Sequence, residues 1–482
     1  MKKIPLRAMP PPAARDGELA WQLACLAADT PKGGGDAARM ASWRVLDSYG
    51  VAIGGIADKT VATMRRQALR RADPSGALLF GSTARVALED AAWANGAALR
   101  LRDMHDMFVA AEYAHPSDAI PALMAVAQSR GLDGAALMRG IVASYEIQIA
   151  LSKAISLNRH GIEPIGHLAP SIAGGIGAML DLPTETIHVA IEHAVHLCVF
   201  ARRTPVGRKS DWRVVCAPMV AKRAVEAVTL AQDGLLAPSP AYEGPQGLFA
   251  RFLGGTDFAA EIEIPEAADC GQALRVSFPK VHEAQYQSQA MIDLALRLRR
   301  AIPDWRDVAK IEILTSQHIH RATGTAWRVG AAPRPRLDHD LSLIVASIFA
   351  TGGLAKPRDA DFASRPEIVW LTDRIATIAE DSWSARSHLD DPARQSFGGT
   401  MHVVRADGSE HTETIEWADR HPNRGQPWGE RDYVARFADL AAPFAASNDI
   451  EDFIERCLRL ATLDATAIWN FNLKAAPGPS AI

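Results

Sequence analysis

Apolar residues in the first 270 or so positions of the chain recur with a helical period. Leu137, Ile141 and Tyr145 are four residues apart and Val142 lies beside them, so all four fall on one helix face. The stretch 171–180 is instead rich in glycine and alanine, which is typical of a helix that packs closely against another helix. A phosphate-binding loop would need a preceding strand and a following GKS/T motif, and the sequence indicates neither. We therefore interpret the stretch as a packing helix.

After about residue 274 the pattern changes to one that includes strands. Residues 309–315 alternate between apolar and polar side chains, which is the period of a half-buried strand. Residues 401–415 predict a hairpin that turns at Asp407 and Gly408, because this pair tolerates the positive φ of a tight turn. This part of the chain is therefore predicted to be α+β.

Helical periodicity returns near the end of the sequence. The apolar residues between positions 450 and 458 follow the spacing i, i+3, i+4, i+7, i+8, and Ser447 or Asn448 is the expected N-cap. Helices at both ends of the chain thus flank a region that contains strands.

The predicted fold class is mainly α, with a large all-helical domain formed by both chain ends and an inserted α+β domain. We place the first part of the helical domain at residues 1–270, the inserted domain at 271–424 and the helical return at 425–482. Residues 1–16 are expected to be a loose tail, since prolines interrupt them and no apolar stretch follows the two lysines. A chain of 482 residues also exceeds one ordinary core, so two or more folding units are expected.

Composition excludes several classes of function. Hydrophobic residues make up 48% and charged residues 22% of the chain, and the net charge is −4, so no general affinity for nucleic acid or anionic membrane is expected. No apolar run approaches the roughly 18 residues of a membrane span. The five cysteines are odd in number, scattered and without CxxC spacing, which favours a reducing, cytoplasmic compartment over a disulfide framework.

One stretch concentrates residues suited to proton transfer. A histidine among carboxylates can take and return a proton near neutral pH, and arginine holds an anionic substrate. The residues of this kind within nineteen positions are Arg100, Asp103, His105, Asp106, His115 and Asp118. The alternative interpretation is a solvated helix end followed by a Pro-Ser turn, and the stretch alone leaves both open.

The same stretch resembles the opening motif of a known family. NGxxxRxxD at residues 95–103, a further aspartate at 106 and AExxHPSD at residues 111–118 resemble the MmgE/PrpD family, which includes 2-methylcitrate dehydratase, cis-aconitate decarboxylase and iminodisuccinate epimerase. Further matches follow in order: Tyr145-Glu-Ile-Gln, Asn158-Arg-His-Gly-Ile-Glu, Gly207-Arg-Lys-Ser, Ser277-Phe-Pro, Leu337-Asp-His and Asp390-Asp-Pro-Ala-Arg. The resemblance implies that the α+β insertion is a lid, that the chain forms a homodimer, and that a cleft between body and lid holds the substrate.

The resemblance also implies roles for individual residues. Asp103 and His115 stand where the family has an aspartate and the histidine of its HPS motif, so His115, oriented by Asp103, is the candidate acid/base. His160 or His282 is the candidate catalytic partner on the opposite side. The candidate substrate-binding residues are Arg100, Asp106, Lys209, Arg213, Gln287 and His339, with the cations expected to hold carboxylates.

The sequence departs from the family pattern at three positions. Met107 replaces a threonine, Pro164 stands where the dehydratases have a histidine, and Gln287 stands at a later lid histidine. His160 and His167 lie near the second of these positions. The departures leave the exact reaction open.

No convincing metal-ligand set is visible in the sequence. His193 and His196 are separated by three residues, whereas the HExxH zinc motif needs a separation of four. His318 and His320 are expected to share one face of a strand, but no third ligand lies near them. We therefore predict no metal and no organic cofactor.

The leading hypothesis is a cofactor-independent hydro-lyase that acts on a 2-methylcitrate-like small polycarboxylic acid. Epimerisation, isomerisation or decarboxylation of a related acid in the same cleft is the first alternative, since all share a carbanion-like intermediate. A catalytically lapsed family member that serves as a binding protein is the second. The expected partners are a small-molecule polycarboxylate and a second copy of the chain.

Overall fold

The computed structural model describes residues 1–11, 14–32, 35–201, 210–323, 339–355 and 362–474. The described chain divides into two compact units. The first unit contains residues from both ends of the chain, up to Pro279 and from Trp428 onward, and the second begins at Lys280 and ends at Pro427.

Helices make up most of the described structure, which confirms the mainly α prediction. They are α1 (Leu19–Asp29), α2 (Asp36–Ile53), α3 (Lys59–Leu69), α4 (Leu88–Leu101), α5 (Ile120–Ser129), α6 (Gly134–Ala154), α7 (Leu168–Met179), α8 (Thr184–Leu197), α9 (Trp212–Gln232), α10 (Leu248–Phe252), α11 (Gln272–Val276), α12 (Gln289–Ala301), α13 (Gln317–Ala322), α14 (Leu341–Thr351), α15 (Pro366–Thr372), α16 (Asp381–Ser387), α17 (Glu430–Ala441), α18 (Ser447–Leu458) and α19 (Ala465–Trp469). Of these, α12 to α16 belong to the second unit.

The strands are short. They are β1 (Lys2–Arg7), β2 (Ala72–Leu78), β3 (Arg85–Val86), β4 (Phe108–Val109), β5 (Tyr113–Ala114), β6 (Ala259–Ile264), β7 (Val308–Thr315), β8 (Ile375–Ala379), β9 (Gly399–Arg405) and β10 (Glu410–Ile415). In the first unit they form three antiparallel pairs, β1 with β6, β2 with β3 and β4 with β5. The all-helical prediction for this domain is therefore wrong in detail.

The small residues of α7 allow it to approach α6 closely, as the sequence indicates. A Cβ atom added at Gly175 would lie 2.7 Å from the carbonyl oxygen of Gly140, and one added at Gly140 would lie 2.9 Å from the carbonyl oxygen of Gly175. The apolar face predicted on α6 is confirmed, because Leu137, Ile141 and Tyr145 are fully buried in the core of the first unit. Both helices contact the turn at residues 116–119, which directly follows His115.

The N-terminal residues are not a loose tail. Residues 2–7 form β1, which pairs with β6 in a register that places Ile4 opposite Ile262. The side chains of Ile4 and Leu6 are buried in the core of the first unit, while Pro5 is exposed. Pro5 is tolerated because β1 is an edge strand, and a strand this short gives only two alternating apolar positions.

The second unit contains a four-stranded sheet in the order β10-β9-β7-β8. The strand predicted at residues 309–315 is confirmed as β7, and the predicted hairpin is confirmed as β9 and β10, with Gly408 at φ +83° in the turn. The prediction that His318 and His320 lie on a strand is wrong. Ser316 caps the start of α13 by accepting a hydrogen bond from the backbone nitrogen of Ile319, so both histidines lie on a helix.

The C-terminal helix is confirmed as α18, but its N-cap is Ala446, whose side chain cannot accept a hydrogen bond. Ser447 and Asn448 lie inside the first turn instead. Within the described parts of the chain, no helix has both the length and the apolar character that crossing a bilayer requires.

Candidate active site

The candidate site is built in the first unit, where α4 ends. α4 ends at Leu101, and Asp103, two residues later, has a φ of 54°. This left-handed backbone conformation usually belongs to glycine and costs other residues roughly 1–2 kcal/mol. The Oδ2 atom of Asp103 lies 3.3 Å from Nη1 of Arg213, at the start of α9, and both side chains are largely buried. The strained turn thus places a carboxylate beside a cation.

Arg100, in the last turn of α4, holds a second carboxylate. Its Nη1 atom lies 2.7 Å from Oδ2 of Asp118 and 2.9 Å from Nε2 of His105. Burial opposes the charge of Arg100, but the carboxylate of Asp118 outweighs it, so the pKa of Arg100 is raised above its ordinary value. Because arginine only donates hydrogen bonds, the Nε2 atom of His105 accepts, and Nδ1 carries the hydrogen in the neutral ring.

A backbone carbonyl sets the tautomer of His115. The Nδ1 atom of His115 lies 2.9 Å from the carbonyl oxygen of Asp106, which can only accept, so Nδ1 carries a hydrogen. In the neutral ring, Nε2 therefore has the lone pair and is the nitrogen that can take a proton. The ring packs against His105 with a centroid distance of 4.4 Å. His115 directly precedes the turn Pro116–Ala119, which fixes its backbone.

Asp106 fixes the conformation of the loop between α4 and α5 through both of its carboxylate oxygens. It is completely buried, and its Oδ1 atom accepts a hydrogen bond from the backbone nitrogen of Ser117 at 2.9 Å. Its Oδ2 atom accepts one from the hydroxyl of Tyr145 at 2.8 Å and lies 3.6 Å from Nε of Arg44. Burial raises the pKa of Tyr145 well above its ordinary value, so the hydroxyl stays a donor. These contacts favour a positioning role for Asp106 over the predicted substrate-binding role.

Two buried arginines connect this loop to α2 and α17. Arg44 donates to the hydroxyl of Tyr433 and to the carbonyl oxygen of Ser277 at 2.6 Å. Arg436 lies 3.2 Å from Oδ1 of Asp47 and donates to the carbonyl oxygen of Met104 at 2.6 Å. Buried arginines that bind carbonyl oxygens hold the backbone in one conformation, so the site rests on contacts from four parts of the sequence.

Family models match nearly the whole chain. The model of the MmgE/PrpD N-terminal domain matches residues 18–261, and the model of the MmgE/PrpD C-terminal domain matches residues 282–460. The chain belongs to the MmgE/PrpD family. The resemblance read from the motifs around His115 is therefore confirmed.

Curated relatives share about a quarter of their residues with this chain. The 2-methylcitrate dehydratases of Cupriavidus necator and Salmonella typhimurium are each 24% identical to it, over 373 and 368 residues, and each alignment covers 73% of this chain and 75% of the relative. The alkylcitrate dehydratase phiI of a fungal species is 24% identical over 380 residues, which cover 72% of each protein.

Two of the positions that depart from the family pattern, Met107 and Pro164, are buried in the first unit. Met107, at the threonine position, is buried, and its backbone forms a bridge with Phe278 through hydrogen bonds of 2.8 and 2.9 Å. Pro164, at the histidine position, starts a buried 3-10 turn. His167, at the end of that turn, donates from Nε2 to the carbonyl oxygen of Ile155, and burial lowers its pKa to about 4. The lowered pKa disfavours the protonated ring, so His167 is poorly suited to act as a proton donor.

The remaining predicted site residues come from other segments of the sequence. His160 is in the first unit but exposed, in the short turn Asn158–His160, whereas Asp103 and His115 are buried. In the second unit, His282 pairs with Asp293 at 2.8 Å, and Gln287 and His339 are partly buried. Lys209 lies outside the described residues. These assignments stay predictions.

Sequence reasoning did not assign roles to four residues that the structure brings to the site. His105 and Asp118 lie within the stretch of proton-transfer residues, but the family motif points to the histidine of HPS alone. Tyr145 opens a matched motif, but its spacing from Leu137 and Ile141 indicates only that it lies on an apolar helix face. Arg44 lies in a largely buried helix, where a charged side chain indicates that it has a buried partner but not which partner.

Proposed function

We propose that this protein is a cofactor-independent hydro-lyase that dehydrates a 2-methylcitrate-like hydroxy-tricarboxylate. The observation that carries the proposal is the tautomer of His115, whose Nδ1 donates to a backbone carbonyl and whose Nε2 is left as the basic nitrogen. The names of the relatives, 2-methylcitrate dehydratase and alkylcitrate dehydratase, support the reaction class. At 24% identity they give weaker support for the substrate.

Dehydration needs a base, an acid and a way to offset negative charge. A base removes the proton on the carbon beside a carboxylate, the electrons of that bond form the new double bond, and the hydroxyl on the neighbouring carbon leaves as water after protonation. In this proposal the Nε2 atom of His115 takes the proton, and the imidazolium that results is the acid that protonates the leaving hydroxyl. The enolate-like charge that develops on the carboxylate is offset by cations held ready for it.

Two buried ion pairs hold these cations in place before the substrate binds. Arg213 is held by Asp103 at 3.3 Å, and Arg100 by Asp118 at 2.7 Å, so neither guanidinium must reorganise when the substrate's charge shifts. Arg213 is the proposed contact for a substrate carboxylate. Arg100 acts mainly by fixing His105, which packs against the ring of His115.

A second candidate is epimerisation, isomerisation or decarboxylation of a related polycarboxylate. The observation in its favour is Met107, because the site offers one hydroxyl fewer than the family pattern supplies. All of these reactions use the same carboxylate contacts and a carbanion-like intermediate. Dehydration and epimerisation begin when a base removes a proton, whereas decarboxylation begins with loss of carbon dioxide and then needs a proton donor.

Product analysis distinguishes these reactions. Untagged, full-length protein is incubated in D2O with citrate, 2-methylcitrate, cis-aconitate or iminodisuccinate, and each mixture is followed by NMR. We expect 2-methylcitrate to lose water and give an alkene product. Deuterium exchange or inversion without loss of water would favour epimerisation, and carbon dioxide release from cis-aconitate would favour decarboxylation. Binding without turnover of any acid would support the lapsed-enzyme hypothesis.

A further inference from the structure

A second group of buried ionisable side chains lies in the first unit and belongs to none of the contacts described above. Glu18 directly precedes α1, and His188 and Glu192 lie one turn apart on α8. The Nε2 atom of His188 is 3.2 Å from Oε2 of Glu18 and 3.5 Å from Oε1 of Glu192. The three potential ligand atoms all lie within 4.8 Å of one another. An edge contact with Trp21, at a centroid distance of 5.5 Å, supports the orientation of the His188 ring.

The atoms that face each other are the ones that the protein leaves without hydrogen bonds. Oε2 of Glu18, Nε2 of His188 and Oε1 of Glu192 are each buried and, apart from their contacts with one another, have no partner within the described part of the chain. His188 is 3% exposed and Glu192 is 1% exposed. Leaving a buried polar group unsatisfied costs about 1–3 kcal/mol. Three such atoms that converge on one point indicate a ligand.

The local charge is also unbalanced. Glu243, itself buried, accepts a hydrogen bond from the backbone nitrogen of Leu19 and is repelled by the charges of Glu18 and Glu192. The charged groups acting on the cluster from neighbouring positions are Arg15 and Glu185. Carboxylates outnumber cations, so either protons or a bound cation must compensate them.

We propose that Glu18, His188 and Glu192 bind one divalent transition-metal ion, with Zn²⁺ the best fit. Tetrahedral zinc has bonds to nitrogen and oxygen of roughly 2.0–2.1 Å, which puts neighbouring donor atoms about 3.3 Å apart. The observed separations of 3.2 and 3.5 Å from the His188 nitrogen agree with that spacing. One imidazole with carboxylates is a donor set that suits zinc and manganese. Water completes the coordination.

The ion would be structural. It would tie the start of α1 to the middle of α8, while Glu243 anchors the loop before α10 to the same helix start. None of these residues belongs to the site around His115, so the inference is independent of the proposed reaction. Binding only to the folded state would raise the melting temperature by mass action.

The test uses untagged, full-length protein that is stripped with EDTA, dialysed and titrated with Zn²⁺. Calorimetry and elemental analysis should show one zinc per chain, and zinc should raise the melting temperature by a few degrees. His188→Gln and Glu192→Gln should each lower the zinc affinity at least about tenfold and remove the thermal shift, since each takes away one of three ligands. His193→Gln is the matched control, because His193 is on the same helix and its ring contacts the carbonyl oxygen of Leu235.

Three outcomes would overturn the proposal. The first is no stoichiometric binding of Zn²⁺ or Mn²⁺ to wild-type protein. The second is equal zinc affinity in wild type and in both variants. The third is a zinc-dependent rise in melting temperature that persists in His188→Gln and Glu192→Gln, because the bound ion would then not use these side chains. Glu18→Gln is the fourth variant, since Glu18 is less buried and its replacement is the least able to disturb folding.

Discussion

His115 owes its proposed role to one hydrogen bond, the contact of Nδ1 with the carbonyl oxygen of Asp106. If Nε2 moves the proton, His115→Gln removes the acid/base and keeps the turn before Pro116. Turnover should fall by roughly 10²–10⁴-fold, the usual contribution of a positioned acid/base. The melting temperature and the affinity for the polycarboxylate should stay near wild type. Steady-state rates, thermal melting and ligand titration on the same preparation check this.

His167 supplies the matched control for that variant. It is a buried histidine of the same unit that donates to a backbone carbonyl, and burial lowers its pKa to about 4, so it is neutral at working pH. His167→Gln should lower the melting temperature and leave the rate per folded molecule near wild type. An active but unstable His115→Gln would place His115 in the same structural class as His167 and end the proposed mechanism.

The residues of the site differ in how visible they are in the sequence. Arg100, Asp103 and His115 could be found because the chain needs only one helix end and one turn to bring them near each other. Tyr145 and Arg44 could not be assigned, since their contacts with Asp106 depend on how α2 and α6 pack. Pairing between distant helices is decided by shape complementarity of side chains, which periodicity does not encode.

At the level of elements, long periodic segments were the predictable ones. α6 is 21 residues long and its apolar face repeats several times, and the β9–β10 hairpin is marked by Asp407 and Gly408, a pair that favours a tight turn. β1 was missed because its partner β6 lies more than 250 residues away in the sequence, and six residues show only two inward positions. His318 was misplaced because a histidine pair at i, i+2 fits a strand unless the Ser316 cap is recognised.

The pairing of β1 predicts that the N-terminal residues contribute to stability. Leu6 is buried in the core of the first unit, so Leu6→Ala should lower the free energy of unfolding by about 2–4 kcal/mol. The exposed neighbour Arg7 is the control, and Arg7→Ala should change it by less than about 0.5 kcal/mol. Urea denaturation of the two variants provides the comparison. A loose tail would make the variants indistinguishable from each other and from wild type.

At the level of the whole molecule, charge distribution matters more than total charge. The chain carries a net charge of −4, so an anion gains nothing from the overall field of the protein. Attraction of a polycarboxylate must therefore come from local cations that the fold holds in place. Two cations of the candidate site, Arg100 and Arg213, are each already oriented by a carboxylate.

If these cations bind the substrate, the melting temperature should rise with tricarboxylates and not with simple salts or monocarboxylates. Citrate-like tricarboxylates should raise the melting temperature at concentrations where acetate, propionate and sodium chloride do not, since only a ligand that binds the folded state shifts unfolding by mass action. Arg213→Ala should weaken that shift relative to its own ligand-free melting temperature. Arg223→Ala is the control on the same helix, because Arg223 pairs with Glu226 at the surface and should keep the full shift. Equal stabilisation by monocarboxylates and tricarboxylates, or equal loss in both variants, would show that Arg213 does not contact a substrate carboxylate. The cluster at the end of α4 would then be a structural network, and the carboxylate contacts would have to come from other cations of the chain.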